Sequence, residues 1–86
     1  MPVISRFYGI VVTINWDDHN PPHFHARYQN YRAIFDIKTG GILAGFFPPK
    51  ATALITEWMS LHKRELLENW ERSVRREQLK QIQPLE

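Results

Sequence analysis

From Phe7 to Trp16 the chain reads FYGIVVTINW, β-branched and aromatic, with Ile10, Val12 and Ile14 alternating against Val11, Thr13 and Asn15. A period of two marks a strand with one buried face, so this run is predicted as the first strand. The stretch DDHNPP ends it. Proline cannot donate to a ladder and Asn20 favours a turn, so Asp17 to Pro22 is predicted as a loop in which either X-Pro bond is open to the cis form.

The segments HFHARY, YRAIFDI and GILAGFF follow, separated by Gln29-Asn30 and by Lys38-Thr39-Gly40. This is the pattern of a three-strand meander with tight turns. With Gln29-Asn30 as a two-residue turn, Tyr28 pairs with Tyr31, Ala26 with Ala33, Phe24 with Phe35 and His23 with Asp36. With Thr39-Gly40 as the second turn, Ile37 pairs with Ile42, Phe35 with Ala44 and Ala33 with Phe46. These registers gather Phe24, Ala26, Tyr28, Tyr31, Ala33, Phe35, Ile37, Ile42, Ala44 and Phe46 on one face, the predicted core. His23, His25, Arg27, Arg32, Ile34, Asp36, Leu43 and Gly45 fall on the other.

After Pro48-Pro49 the period changes. Ala51, Leu54, Ile55, Trp58, His62, Leu66 and Trp70 follow three-and-four spacing, and the prolines suit a helix start. A straight helix from Pro49 to Arg75 would run roughly 40 Å, long for so small a domain. Either it bends near Leu61 to Arg64, where the apolar stripe slips, or its end reaches beyond the sheet to a partner. Residues 77–86 show no clear period and are expected as a disordered tail or an added edge strand. The predicted fold is α+β in two layers: an antiparallel meander of about four strands with one long C-terminal helix packed on one face.

Composition adds limits. The 86 residues have room for one core, so residues 1–86 are read as a single domain burying about 60 to 65% of its unfolded surface. With no cysteine, neither a disulfide framework nor a thiolate metal site is available, and a reducing cytoplasm is the expected location. No run of 18 apolar residues and no secretory h-region occurs, so no membrane segment is expected. The formal charge is +2, from 11 basic and 9 acidic residues that are largely interleaved. Electrostatics alone neither demand nor exclude nucleic acid.

The distinctive chemistry lies between Asp18 and His25. Three of the four histidines, His19, His23 and His25, fall within seven residues. As a metal site, His23 and His25 on one strand face stand about 6 to 7 Å apart at Cα, near enough to converge on a divalent transition metal with His19 or Asp36 as third ligand. As an acid/base site, His23 opposite Asp36 would be oriented by it, while Arg27 facing Arg32 points to an anionic ligand, phosphate included. A plainer reading has Asp18 and Asn20 bonding the turn backbone and the histidines covering an exposed sheet face. His62 sits on the apolar stripe of the helix and is expected half-buried, bonded to a backbone carbonyl or to Glu65. Trp58 and Trp70 are expected as core and rim anchors, and the run Lys63, Arg64, Arg72, Arg75, Arg76, Lys80, interleaved with glutamates, as a solvated face.

Taken together, MPVISRFYGI, DHNPPHFHA, IKTGGILAGFFP, the helix AxxLIxEWxxLHKRELLENWER and the IQPLE tail closely resemble the bacterial family Domain of Unknown Function 4160. The match runs over nearly the whole chain, and DHNPPHFHA is its most specific piece. It departs at Asn15-Trp16, where the family commonly has a different pair. The resemblance carries over positions His19, Pro21, Pro22, His23, Phe24, His25 and Ala26, and His62, Glu65, Leu66, Asn69 and Trp70 on the helix, without roles. It implies a small cytosolic bacterial protein whose gene lies beside another small gene, in an arrangement like a toxin–antitoxin module. Two functions are therefore expected as alternatives. One is an interaction module that binds a partner protein, with nucleic acid and self-association as further options. The other is a phosphodiesterase or ribonuclease, metal-assisted or using His23 and His25 directly.

Overall fold

The aromatic and β-branched run near the start of the chain is two strands rather than one. In a computed structural model that describes residues 2–16 and 18–86, β1 (Val3–Phe7) and β2 (Ile10–Thr13) form a hairpin. Met1 and Asp17, the first position of the predicted loop, lie outside the described residues. The turn is Tyr8-Gly9, with φ of 51° and 80°. Two central residues with positive φ make the turn whose twist matches that of the flanking strands. Gly9 was the signal for it, masked by the unbroken hydrophobicity on either side.

β3 (His23–Tyr28), β4 (Tyr31–Asp36) and β5 (Ile42–Gly45) complete an antiparallel sheet in the order β1-β2-β3-β4-β5. It therefore has five strands where about four were expected. The β3–β4 register is the predicted one, from Tyr28 opposite Tyr31 to His23 opposite Asp36.

The β4–β5 register differs. Ile37–Ile42, Phe35–Ala44 and Ala33–Phe46 do not pair; instead Phe35 faces Ile42, Ile34 faces Ala44 and Ala33 faces Gly45, with a bulge between the first two pairs. The cause is Asp36. Its Oδ1 accepts the N–H groups of Lys38 (2.7 Å) and Thr39 (3.0 Å), and its backbone pairs with Gly40 and Gly41. The turn thus closes one residue earlier than alternation suggests, while Ile37 stays in the core as expected, its N–H donating to Pro22 O at 3.0 Å. Downstream, Ile42, Ala44 and Phe46 leave the core, Phe46 being 60% exposed, and Phe47 fills the space at 3%. Tyr31 is also exposed at the rim.

The helix α1 (Pro49–Val74) lies across the face that carries Phe24, Ala26, Ala33 and Phe35. Trp58 is its anchor, fully buried, edge-on to Phe24 at 5.9 Å and tilted on Phe7 at 5.1 Å, with its indole N–H on Gln83 O. The helix bends at His62 (φ −128°, ψ 23°), inside the predicted stretch. The largest dimension of the molecule is 33 Å, shorter than a straight helix of this length, so the bend keeps its second half against the body of the protein. No helix among the described residues is long and apolar enough to cross a membrane.

Residues 77–86 are neither a loose tail nor a strand. Asn69 holds Lys80 through both backbone groups, Nδ2 to O at 2.8 Å and N to Oδ1 at 2.9 Å. Ile82 N donates to Ile4 O, and Ser5 Oγ donates to Ile82 O. Ile82 and Leu85 thereby close the core beside β1.

Gly45 tests the revised register. Its φ is 84°, and a Cβ there would stand 2.2 Å from Arg32 O, a backbone atom that cannot move aside alone. Gly45→Ala is expected to lower the free energy of unfolding by about 1–3 kcal/mol in urea titration; wild-type stability would contradict the bulged pairing.

Candidate functional site

The loop before β3 folds back over the start of that strand, with the Asn20–Pro21 bond cis. This brings Asp18 onto the histidines. Its Oδ1 accepts the His19 N–H at 2.9 Å, while its Oδ2 stands 2.9 Å from His23 Nε2 and 3.4 Å from His25 Nε2. Among the described residues these three form the group of possible ligands, all contacting atoms within 4.8 Å of one another. Burial pushes the Asp18 carboxyl up, but the His19 amide, the ring N–H groups of His23 and His25 and the charge of His23 outweigh it, and hold it below the ordinary aspartate value.

Each histidine is fixed differently. His23 Nδ1 donates to Pro21 O at 2.7 Å, and the ring packs on Trp70 at 5.0 Å and edge-on to His25 at 5.4 Å. Its side chain is 10% exposed, against 27% for His25 and 23% for Asp18. His25 Nε2 lies between Asp18 Oδ2 and the amide nitrogen of Asn15, the latter at 3.3 Å. The Asn15 carbonyl oxygen is buried without a partner.

Of the residues singled out from sequence, His23 and His25 converge as expected. His19 is exposed and outside the group. Asp36 sits opposite His23 in register, yet its carboxylate points into the turn at Lys38 and Thr39, and the partner of His23 is Asp18. His62 bonds Glu65 at 2.6 Å and packs on Trp58 at 5.8 Å, the structural role expected of it. Arg64–Glu68 and Arg75–Glu71 are loose, exposed helix pairs, as a solvated face requires.

Arg27 and Arg32 do face each other across β3 and β4, both exposed. They line a hollow of about 480 Å³ on the open sheet face, with His25 at its edge, Val3, Val11, Ile34 and Ala44 among its walls, and a third arginine, Arg6. None of the three arginines has a carboxylate partner among the described residues. The sequence pattern does not point to Arg6, because it starts the first strand only at Phe7; with Tyr8-Gly9 as a turn, Arg6 falls opposite Val11. Asp18 was visible but read as a turn former, and nothing in the spacing shows that the loop curls far enough to bring it to His23.

Fold and site together define an α+β domain with one sheet face covered by a helix and the other open, with two histidines and an aspartate grouped beside an arginine-lined hollow. Over residues 9–71 the chain matches the family described as a domain of unknown function (DUF4160), and it belongs to that family. Comparison with curated proteins and with solved structures gives no match.

The two aspartates separate experimentally. Asp36→Ala is expected to cost about 1–2 kcal/mol of stability by freeing two turn amides, while leaving the imidazole NMR signals of His23 and His25 nearly unchanged. Asp18→Ala is expected to shift both sets of signals. The reverse pattern would return Asp36 to the site.

Proposed function

We propose that the protein is an interaction module, one component of a two-gene, toxin–antitoxin-like cytoplasmic system, that grips an acidic stretch of its partner protein. The observation that carries this reading is the open face itself: Arg6, Arg27 and Arg32, without carboxylate partners among the described residues, stand around a partly aliphatic hollow. Arginine beside apolar surface is the composition of a binding interface, and like charges gathered on one face favour an anionic occupant.

The edges of the sheet support the same reading. β1 is partly shielded by Ile82 and Gln81, which bond to Ile4 O and Val3 O. Among the described residues β5 has no such cover: all four of its residues are exposed, and Ile42, Leu43 and Phe46 present 41%, 47% and 60% of their surface. An open edge with apolar side chains is where a strand of another protein can add. Face-to-face docking of a second copy would set arginines against arginines, so an acidic partner fits better than self-association.

A second reading rests on a different observation. The Asp18, His23 and His25 group adjoins the arginine hollow through His25, an arrangement in which arginines hold a phosphate while imidazole moves a proton. On that reading the protein is a phosphodiesterase or ribonuclease.

Co-expression with the product of the neighbouring gene tests the first reading. The two proteins are expected to co-purify, and Arg27→Glu with Arg32→Glu, or Leu43→Glu alone, to weaken the complex at least about tenfold. The remote Arg75→Glu is expected to leave it intact. Absence of a complex, together with growth arrest on expression that His23→Ala and His25→Ala abolish, would favour the enzyme. Recovery of RNA in place of the protein would also overturn the first reading.

A further inference from the structure

We propose that Asp18 Oδ2, His23 Nε2 and His25 Nε2 bind one divalent first-row transition metal ion, of which Zn2+ is the probe. The inference stands on the geometry of the group and depends on neither functional reading above.

Three observations converge on it. First, the spacings suit a metal: with bonds of about 2.1 Å, ligand atoms lie about 3.0 Å apart at a right angle and about 3.4 Å apart in a tetrahedron. Asp18 Oδ2 is 2.9 Å from one imidazole nitrogen and 3.4 Å from the other, and no two of the three atoms are more than 4.8 Å apart. Closing the two imidazoles onto an ion shortens their separation by about 1.4 Å at most, within reach of the partly exposed His25 ring.

Second, His23 is already held as a ligand is held. Its Nδ1–H donates to Pro21 O at 2.7 Å, which aims Nε2 into the group, and Trp70 fixes the ring from the side. A backbone carbonyl on the far nitrogen is the usual outer support of a metal-bound imidazole, setting both its tautomer and its direction.

Third, the hydrogen bonds alone do not satisfy the site. His25 Nε2 meets an acceptor, Asp18 Oδ2, on one side and a donor, the Asn15 amide nitrogen, on the other. One nitrogen can answer only one of them. The Asn15 carbonyl oxygen is meanwhile buried with no partner. A half-turn of the amide would let His25 Nε2–H serve two oxygens, but it would leave the amide nitrogen buried without a partner. A cation ends the competition at His25 Nε2: both imidazoles turn lone pairs to it, and the carboxylate neutralises part of its charge. Nitrogen and oxygen ligands without sulfur suit Zn2+, Mn2+ or Fe2+. Three protein ligands leave a coordination position open.

The test is a titration of Zn2+ into the untagged full chain, read by calorimetry and by the rise in melting temperature. One equivalent is expected to bind. His25→Ala and Asp18→Asn, at partly exposed positions where folding is checked by circular dichroism, are expected to weaken binding at least about tenfold. His19→Ala is expected to bind as the wild type does. No stoichiometric binding by the wild type, binding that survives both His25→Ala and Asp18→Asn, or an equal loss in His19→Ala would each overturn the proposal.

Discussion

Along β3, the middle strand of the sheet, successive side chains point to opposite faces, so Phe24 and Ala26 can enter the core only if His25 and Arg27 do not. Phe24 is fully buried, stacked on Phe35 and edge-on to Trp58, and a slip of one residue would put a histidine in its place. Burying Phe24 is therefore what projects His25, Arg27 and, across the ladder, Arg32 onto the open face. The chemistry of that face follows from the packing of the other.

The rest of the chain completes that division. The bend at His62 brings Trp70 to the end of the sheet, where it packs against His23 and makes that histidine the most buried of the group. Asn69, one residue earlier, clamps Lys80 and so lays residues 77–86 along β1. One stretch of helix thus supports the site on one side and guards a sheet edge on the other. Among the described residues β5 is left without such cover, and its Ala44 and Gly45 line the arginine hollow.

Much of this was legible in the sequence where two signals agreed. At Gln29-Asn30 the turn and the alternation demand the same pairing, and the observed register is that one; the helix start at Pro49 and its bend were likewise marked by prolines and by the slip of the stripe. Legibility failed where a side chain competed with the pattern. Asp36 looked like a strand residue facing His23, but its carboxylate captures two turn amides, which moves the turn and expels Phe46 from the core in favour of Phe47. Gly9 was outweighed by its β-branched neighbours, which hid the first hairpin and with it Arg6. At the site, spacing located His23 and His25 but not Asp18, because a strand's period says where its own side chains point and nothing about how the preceding loop returns.

The convergence of Asp18 and Asn15 on the two histidines is open to direct observation by nuclear Overhauser contacts in the free protein. Cross-peaks are expected from the His25 ring to the Asn15 amide protons and to Asp18 Hβ, and from the His23 ring to the Trp70 indole, with His19 showing none of these. A His23 ring close to Asp36 Hβ and far from Asp18, or a His19 ring in contact with His25, would contradict the arrangement on which both the site and its proposed chemistry rest.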